Sequence, residues 1–206
     1  MLTVNARGGD RMSAQSESMV SCVVTRKLPT RVNGEWSDPI ANRDISSFFG
    51  YIAKSVGYRD EDINLVELDR LHELWTARGD FLDQSINTRS TASAVIASSL
   101  AVGFSEVTID KGLLRPTRDE PQLNFSAMYS PQGMTKGLER DFNSVRPDDY
   151  DGVDVEYVDG ISWQSETIKC RLPGDKGIRS LKIKAEGCTN KDRAYRIGMR
   201  KRRAIS

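Results

Sequence analysis

The stretch GVDVEYVD, residues 152–159, alternates apolar with polar side chains, and Val153, Val155 and Tyr157 share one side. Successive side chains of a β-strand point to opposite faces, so the alternation predicts a strand with one buried face. Clusters of Pro, Gly and Asp, which favour turns, separate this stretch from β-rich stretches on both sides. We predict four strands in this part of the chain, at residues 136–143, 152–159, 166–172 and 180–186.

A basic helix is predicted to follow these strands. Thr189 can cap its first turn, Asp192 stands at the capping-box distance, and the pattern continues to about Ala204. We expect a solvated or subunit-facing helix, because cations are favourable near a helix C-terminus and no recognised nucleic-acid-binding motif accompanies them. Binding to the phosphates of a nucleic acid is the alternative. The residues that would carry it are Arg196, Arg200, Lys201 and Arg203.

Helical periodicity replaces the strand pattern between residues 41 and 120. Three stretches there carry apolar side chains at three-to-four-residue spacing, which is typical of amphipathic helices. Residues that can cap a helix precede each stretch, and a glycine follows each. The predicted caps and ends are Asn42 or Asp44 with Gly57, Asp62 with Gly79, and Thr88 or Ser90 with Gly103.

A β-hairpin is predicted after the third helix, with strands at residues 106–109 and 113–117. Asp110-Lys111-Gly112 joins them, and glycine supplies the positive φ that a tight turn needs. Near the N-terminus, residues 19–27 predict a strand and Asn33-Gly34 a turn. The whole pattern predicts an α+β protein: a mainly β domain of residues 1–40 and 121–206, a small α/β domain inserted at residues 41–120, and the C-terminal basic helix.

Composition excludes few classes of protein. The 30 basic and 29 acidic residues leave a formal net charge of +1, which gives no general argument for a nucleic-acid or membrane partner. Cys22, Cys170 and Cys188 lack CxxC spacing, so we expect neither a disulfide framework nor a zinc site. No apolar run approaches the roughly 18 residues of a membrane span, and we expect a chain of cytoplasmic origin. The apolar content of 38% is lean and favours a core completed by a partner.

Four groups of sequence runs carry a resemblance to a known family. They are VTRKLP at 24–29 with GEWS at 34–37; LWTARGD at 74–80 with Phe81, Asp83 and NTRST at 87–91; RDEP at 118–121 with YSP at 129–131; and DDYDGVDVEYVD at 148–159 with Trp163 and LPG at 172–174. In this order and spacing they resemble the tip attachment, or host specificity, proteins of long-tailed, lambda-like phages and prophages. The resemblance extends from about Val23 to Arg203 and covers the hub portion of that family.

The resemblance implies a tail-hub fold, in which a barrel-like β domain carries a small α/β domain of about three helices plus a hairpin. Related hubs form threefold rings under the tail tube and join the tube to the tip. We therefore expect a structural virion protein of the tail tip, assembled in the host cytoplasm. Its expected partners are copies of itself and other phage tail proteins. We expect no enzyme activity, no cofactor or metal, and no membrane partner.

Two features bear on the alternative of catalysis. His72 is the only histidine and lies on a predicted amphipathic helix, so we expect a structural role rather than a catalytic triad. The acids between Asp148 and Glu166 imitate a calcium loop only loosely and lack its spacing, so we interpret them as solvent-facing strand residues. A cell-envelope hydrolase that uses a carboxylate pair from this segment is the competing hypothesis.

Overall fold

The computed structural model describes residues 23–121 and 149–205, together with Met128, residues 130–133, Thr135 and Glu139 between them. This part of the chain is a mixed α+β protein with four helices and small sheets. The helices are α1 (Ile45–Ser55), α2 (Leu65–Arg78), α3 (Ala92–Ala101) and α4 (Lys191–Ala204). The strands are β1 (Lys27–Leu28), β2 (Arg31–Val32), β3 (Glu35–Trp36), β4 (Ile40–Ala41), β5 (Ser105–Asp110), β6 (Leu113–Arg118), β7 (Gly152–Val158), β8 (Ser165–Cys170) and β9 (Ser180–Lys184).

Two very short antiparallel pairs form the N-terminal part, β1 with β4 and β2 with β3. Asn33 and Gly34 both have positive φ between β2 and β3, which confirms the predicted turn. The strand predicted at residues 19–27 is wrong for residues 23–26, where the structure has no strand. Residues 19–22 lie outside the described part of the chain.

Helices α1, α2 and α3 and the β5–β6 hairpin enclose one apolar core, whose buried members come from residues 45–114. Trp75 is one of these buried members and donates a hydrogen bond from Nε1 to the carbonyl of Gly103 at 3.0 Å. The hairpin is confirmed, and its turn is the two residues Lys111 and Gly112, both with positive φ. A two-residue turn of this kind matches the twist of the strands that it joins.

Helix ends follow the sequence within a few residues, with corrections at the N-termini. Asn64, not Asp62, caps α2 by accepting a hydrogen bond from the amide of Glu67 at 3.1 Å. Asp62 instead accepts one from the amide of Arg59 and closes a preceding 3-10 turn. Thr91 caps α3, where Thr88 or Ser90 was expected. Gly79 ends α2 with a left-handed φ of 68°, as predicted.

The C-terminal part is a three-stranded sheet in the order β8–β7–β9, with β8 antiparallel and β9 parallel to β7. Val153, Val155 and Tyr157 are all buried, which confirms the alternation, and α4 packs on this face. At Gly198 a Cβ would lie 2.3 Å from Cys170 Sγ, so glycine allows α4 to approach the sheet closely.

The sheets have two or three strands, and none closes into a barrel within the described residues. The barrel-like form and the insertion at 41–120 therefore stay predictions. Of the strand predicted at residues 136–143, only Glu139 lies in the described part. The second apolar cluster has its buried members between residues 153 and 194. None of the described helices is long and apolar enough to cross a bilayer.

Candidate functional site

Helix α4 carries the arginines for which the sequence left three roles open: contact with solvent, with a partner subunit, or with a nucleic acid. Asn190 begins the helix by accepting a hydrogen bond from the amide of Arg193, so Thr189 is not its cap. The Arg193 side chain is almost fully buried and donates to the carbonyl oxygens of Phe81 and Gly187. Arg193 is therefore a docking residue that ties α4 to the chain after α2.

Two of the four residues proposed for nucleic-acid contact are also paired within the chain. Arg196 Nη2 lies 3.0 Å from Oδ1 of Asp80, a carboxylate that is buried. Arg200 Nη2 lies 2.8 Å from Oδ2 of Asp119 on the surface. Arg196 must leave a buried carboxylate before it can bind a phosphate, so its pair weakens the case for a phosphate-binding face on α4.

The last turn of α4 holds the remaining two residues of that prediction. Lys201 and Arg203 occupy exposed positions on either side of Arg202. Arg202 itself turns inward and makes two hydrogen bonds to Asp175, both at 2.8 Å. Among the four predicted residues, the structure therefore pairs Arg196 and Arg200 with carboxylates of the same chain, and does not leave all four on one free face.

Asp83 is a connecting residue that sequence reasoning did not find. Its carboxylate accepts hydrogen bonds from Arg43 and from the Thr189 hydroxyl, two residues that are 146 positions apart. Burial alone would raise the pKa of Asp83, but these hydrogen bonds outweigh it, so the pKa lies below its ordinary value. In the sequence, Asp83 stands out only as part of the run at residues 74–91 that carries the family resemblance. That run does not indicate which residues Asp83 contacts.

The single histidine contacts a serine. His72 Nδ1 lies 2.7 Å from Ser46 Oγ, which joins α2 to α1. Ser46 is buried, so a substrate cannot reach its hydroxyl. The described residues place no carboxylate in hydrogen-bond contact with the imidazole to complete a triad. This arrangement favours the structural role expected for His72.

Three acidic side chains of the 149–166 segment have different hydrogen-bond or ion-pair partners. Asp151 accepts hydrogen bonds from the amides of Ile178 and Arg179, and Asp154 pairs with Arg171 at 2.7 Å. Glu156 bonds to the Ser165 hydroxyl at 2.9 Å. In the described part of the chain, no three Cys, His, Asp or Glu side chains are grouped to hold a metal ion. Asp151, Asp154 and Glu156 are thus each held by a different partner of their own chain; Asp148 lies outside the described residues.

The loop between β7 and β8 displays large apolar side chains. Ile161 is 92% exposed and Trp163 is 52% exposed. The carboxylate of Asp159 fixes this hairpin tip by accepting hydrogen bonds from the amides of Ile161 and Ser162 at 3.0 and 2.8 Å. Trp163 has a φ of 55°, in the left-handed region that a bulky residue rarely adopts. The tip is thus an ordered loop that presents apolar surface.

Both described cysteines are free and buried. Cys170 lies under α4, and burial raises the pKa of its thiol. Cys188 Sγ accepts a hydrogen bond from Arg193 Nε at 3.3 Å. A buried thiol with a raised pKa is a poor nucleophile, so Cys170 favours a packing role; Cys22 lies outside the described residues.

No protein-family model matches the chain, and a search of curated proteins found no significant match. The resemblance to the tail-tip attachment proteins therefore rests on the sequence runs between residues 24 and 174 alone.

Proposed function

We propose that the chain is a structural component of a bacteriophage or prophage tail-tip hub, which joins the tail tube to the tip during assembly and host attachment. Its working unit is a ring of copies of itself, threefold as in the hubs that it resembles, in contact with other tail proteins. In this proposal the β8–β7–β9 sheet is one wall of a barrel-like hub domain into which residues 41–120 are inserted. The protein is located at the tail tip of the virion, after assembly in the host cytoplasm.

The exposed apolar tip between β7 and β8 carries the proposal. Covering an isoleucine side chain stabilises an interface by about 1.5–3 kcal/mol, and tryptophan is enriched among the residues that dominate binding energy. The hydrogen bonds to Asp159 order the tip before any partner arrives, so little entropy is lost when it docks. A strained backbone at Trp163 also supports a binding role, because such conformations cluster at functional positions.

The α4 contacts support the same proposal indirectly. Helix α4 is tied to the rest of the chain by three arginines that contact carbonyl or carboxylate oxygens, and these contacts stiffen the fold. The arginines are Arg193, Arg196 and Arg202. A rigid subunit loses less conformational entropy on entering a ring. No described feature of the acidic segment favours the hydrolase alternative.

Sedimentation velocity of the full chain tests this proposal. We expect the wild-type protein to form a discrete oligomer, and the Ile161→Ser/Trp163→Ser double variant to sediment as a monomer with an unchanged circular dichroism spectrum. The matched control is Val66→Ser on α2, another highly exposed apolar residue, which leaves the oligomer intact. A wild-type protein that remains monomeric at every concentration overturns the proposal, and so does an oligomer that the double variant leaves unchanged.

A further inference from the structure

A cleft of about 560 Å³ opens between α3, the base of the β5–β6 hairpin and α4. It lies away from the β7–β8 tip, and the function proposed above does not use it. The side chains important to its chemistry are Phe104, Glu106, Arg118 and Arg200. The carboxylate of Asp119 lines it as well, so the cleft brings two guanidinium groups, two carboxylates and one aromatic ring to a single solvent-accessible space.

Arg118 is buried, but no carboxylate of the described residues lies within hydrogen-bond distance of its guanidinium. Its side chain is only 7% exposed, as is that of Arg31, yet Arg31 holds a carboxylate at 2.6 Å. The nearest carboxylate to Arg118 belongs to Glu120, at 3.9 Å from Nη1, beyond hydrogen-bond distance. Among the described residues, its guanidinium makes one hydrogen bond, from Nε to the carbonyl of Gly103 at 3.2 Å. Both Nη nitrogens of Arg118 thus keep donors for another acceptor.

The charge of Arg118 is also poorly compensated. Burial lowers the pKa of its guanidinium, and the neighbouring cations Arg78 and Arg196 lower it further, against the opposing effects of Asp80 and Glu120. A buried cation with unused donors and other cations nearby gains free energy when an anion reaches it.

Arg200 provides a second cation at the same cleft. Its guanidinium carbon and that of Arg118 each lie 5.7 Å from the centre of the Phe104 ring. Arg200 is held by Asp119, but both side chains are exposed, and an exposed ion pair is worth only about 0–1 kcal/mol. Arg200 can therefore exchange its carboxylate for another anion at little cost.

We propose that this cleft is a binding site for an oxyanion, a carboxylate or phosphate group, which the Nη atoms of Arg118 hold and Arg200 assists. The anion has two possible sources, free phosphate or an acidic side chain of a peptide segment. Glu106 and Asp119 line the same cleft and are exposed, so their negative charges oppose the ligand and limit the affinity. This site is independent of ring assembly.

Isothermal titration of the full chain at constant ionic strength tests the site with two probes. The probes are inorganic phosphate and a short capped peptide that contains aspartate. We expect saturable binding of at least one probe, and the one that binds identifies the source of the anion. Arg118→Gln weakens that binding at least about tenfold, because a hydrogen bond to a charged group is worth about 1.5–3 kcal/mol. Glu106→Gln tightens it.

The matched control is Arg115→Gln, which removes the same charge from β6 at a residue that pairs with Asp110 and does not line the cleft. Circular dichroism and thermal unfolding check that each variant folds. If Arg118→Gln does not fold, two other variants decide the test. Arg200→Gln should weaken binding, and Glu106→Gln should tighten it. The proposal is overturned if neither probe binds saturably, or if Arg115→Gln weakens binding as much as the cleft variant does.

Discussion

Replacing Arg193 by methionine tests whether this arginine holds α4 against the rest of the chain rather than binding a ligand. Methionine keeps most of the apolar volume but removes the donors to the carbonyl oxygens of Phe81 and Gly187. It also removes the hydrogen bond to Cys188 Sγ and the cation that lies 3.8 Å from Asp83. The carbonyl of Gly187 keeps a second donor, the amide of Asp83, whereas that of Phe81 has no other hydrogen bond within the described residues. Hydrogen bonds from a charged group contribute about 1.5–3 kcal/mol and weaker ones about 0.5–1.5 kcal/mol. We therefore expect the free energy of unfolding to fall by about 2–4 kcal/mol.

Urea denaturation followed by circular dichroism measures this loss, with Arg200→Met on the same helix as the control. Arg200 and Asp119 are both exposed, so breaking their pair costs less than about 1 kcal/mol. Typical domains are stable by about 5–15 kcal/mol, so the Arg193 variant still folds but unfolds at clearly lower urea. Equal losses for the two variants would refute the conclusion that Arg193 docks α4 onto the rest of the chain.

Two further predictions concern the C-terminal part. Hydrogen bonds from Arg202 lower the pKa of Asp175 from 3.8 to about 2, so their stabilisation is complete above pH 3.8 and is lost as the pH falls through 2. Thermal unfolding should therefore separate wild type from Asp175→Asn at neutral pH and bring them together near pH 2, and a constant difference would contradict this. At Gly198 an added Cβ would lie 2.3 Å from Cys170 Sγ, so Gly198→Ala should lower the free energy of unfolding by about 1–3 kcal/mol in calorimetry. The control Gly133→Ala, whose nearest neighbour among the described residues lies at 3.8 Å, should change it by less than about 0.5 kcal/mol.

Structural features that depend on residues close together in the sequence could be predicted. The turn at Lys111 and Gly112 joins two strands directly, and the alternation of Val153, Val155 and Tyr157 reflects one strand against one core face. Helix starts were less accurate, because several polar residues near each start can accept an amide hydrogen bond. Asn64 and Asp62 both do so, and only the structure shows which one caps α2.

Contacts between distant residues could not be predicted. The parallel pairing of β9 with β7 requires the chain to pass from β8, on one side of β7, to the other side of β7, and no local pattern encodes this. The basic residues of α4 were visible, but Asp80 precedes its partner Arg196 by 116 positions and carries no sequence signal of that pairing. The candidate residues of α4 were therefore identified, whereas their internal use was not. The exposure of Trp163 at a hairpin tip likewise depends on the packing around it.

Native mass spectrometry of the full chain counts the copies in each assembly and so tests the structural role most directly. We predict one closed species with a small fixed number of copies, three if the ring follows the hubs that the sequence resembles. That species should be lost when Ile161 and Trp163 are both replaced by serine. A spectrum that contains only the single 23.0 kDa chain at every concentration would contradict the account.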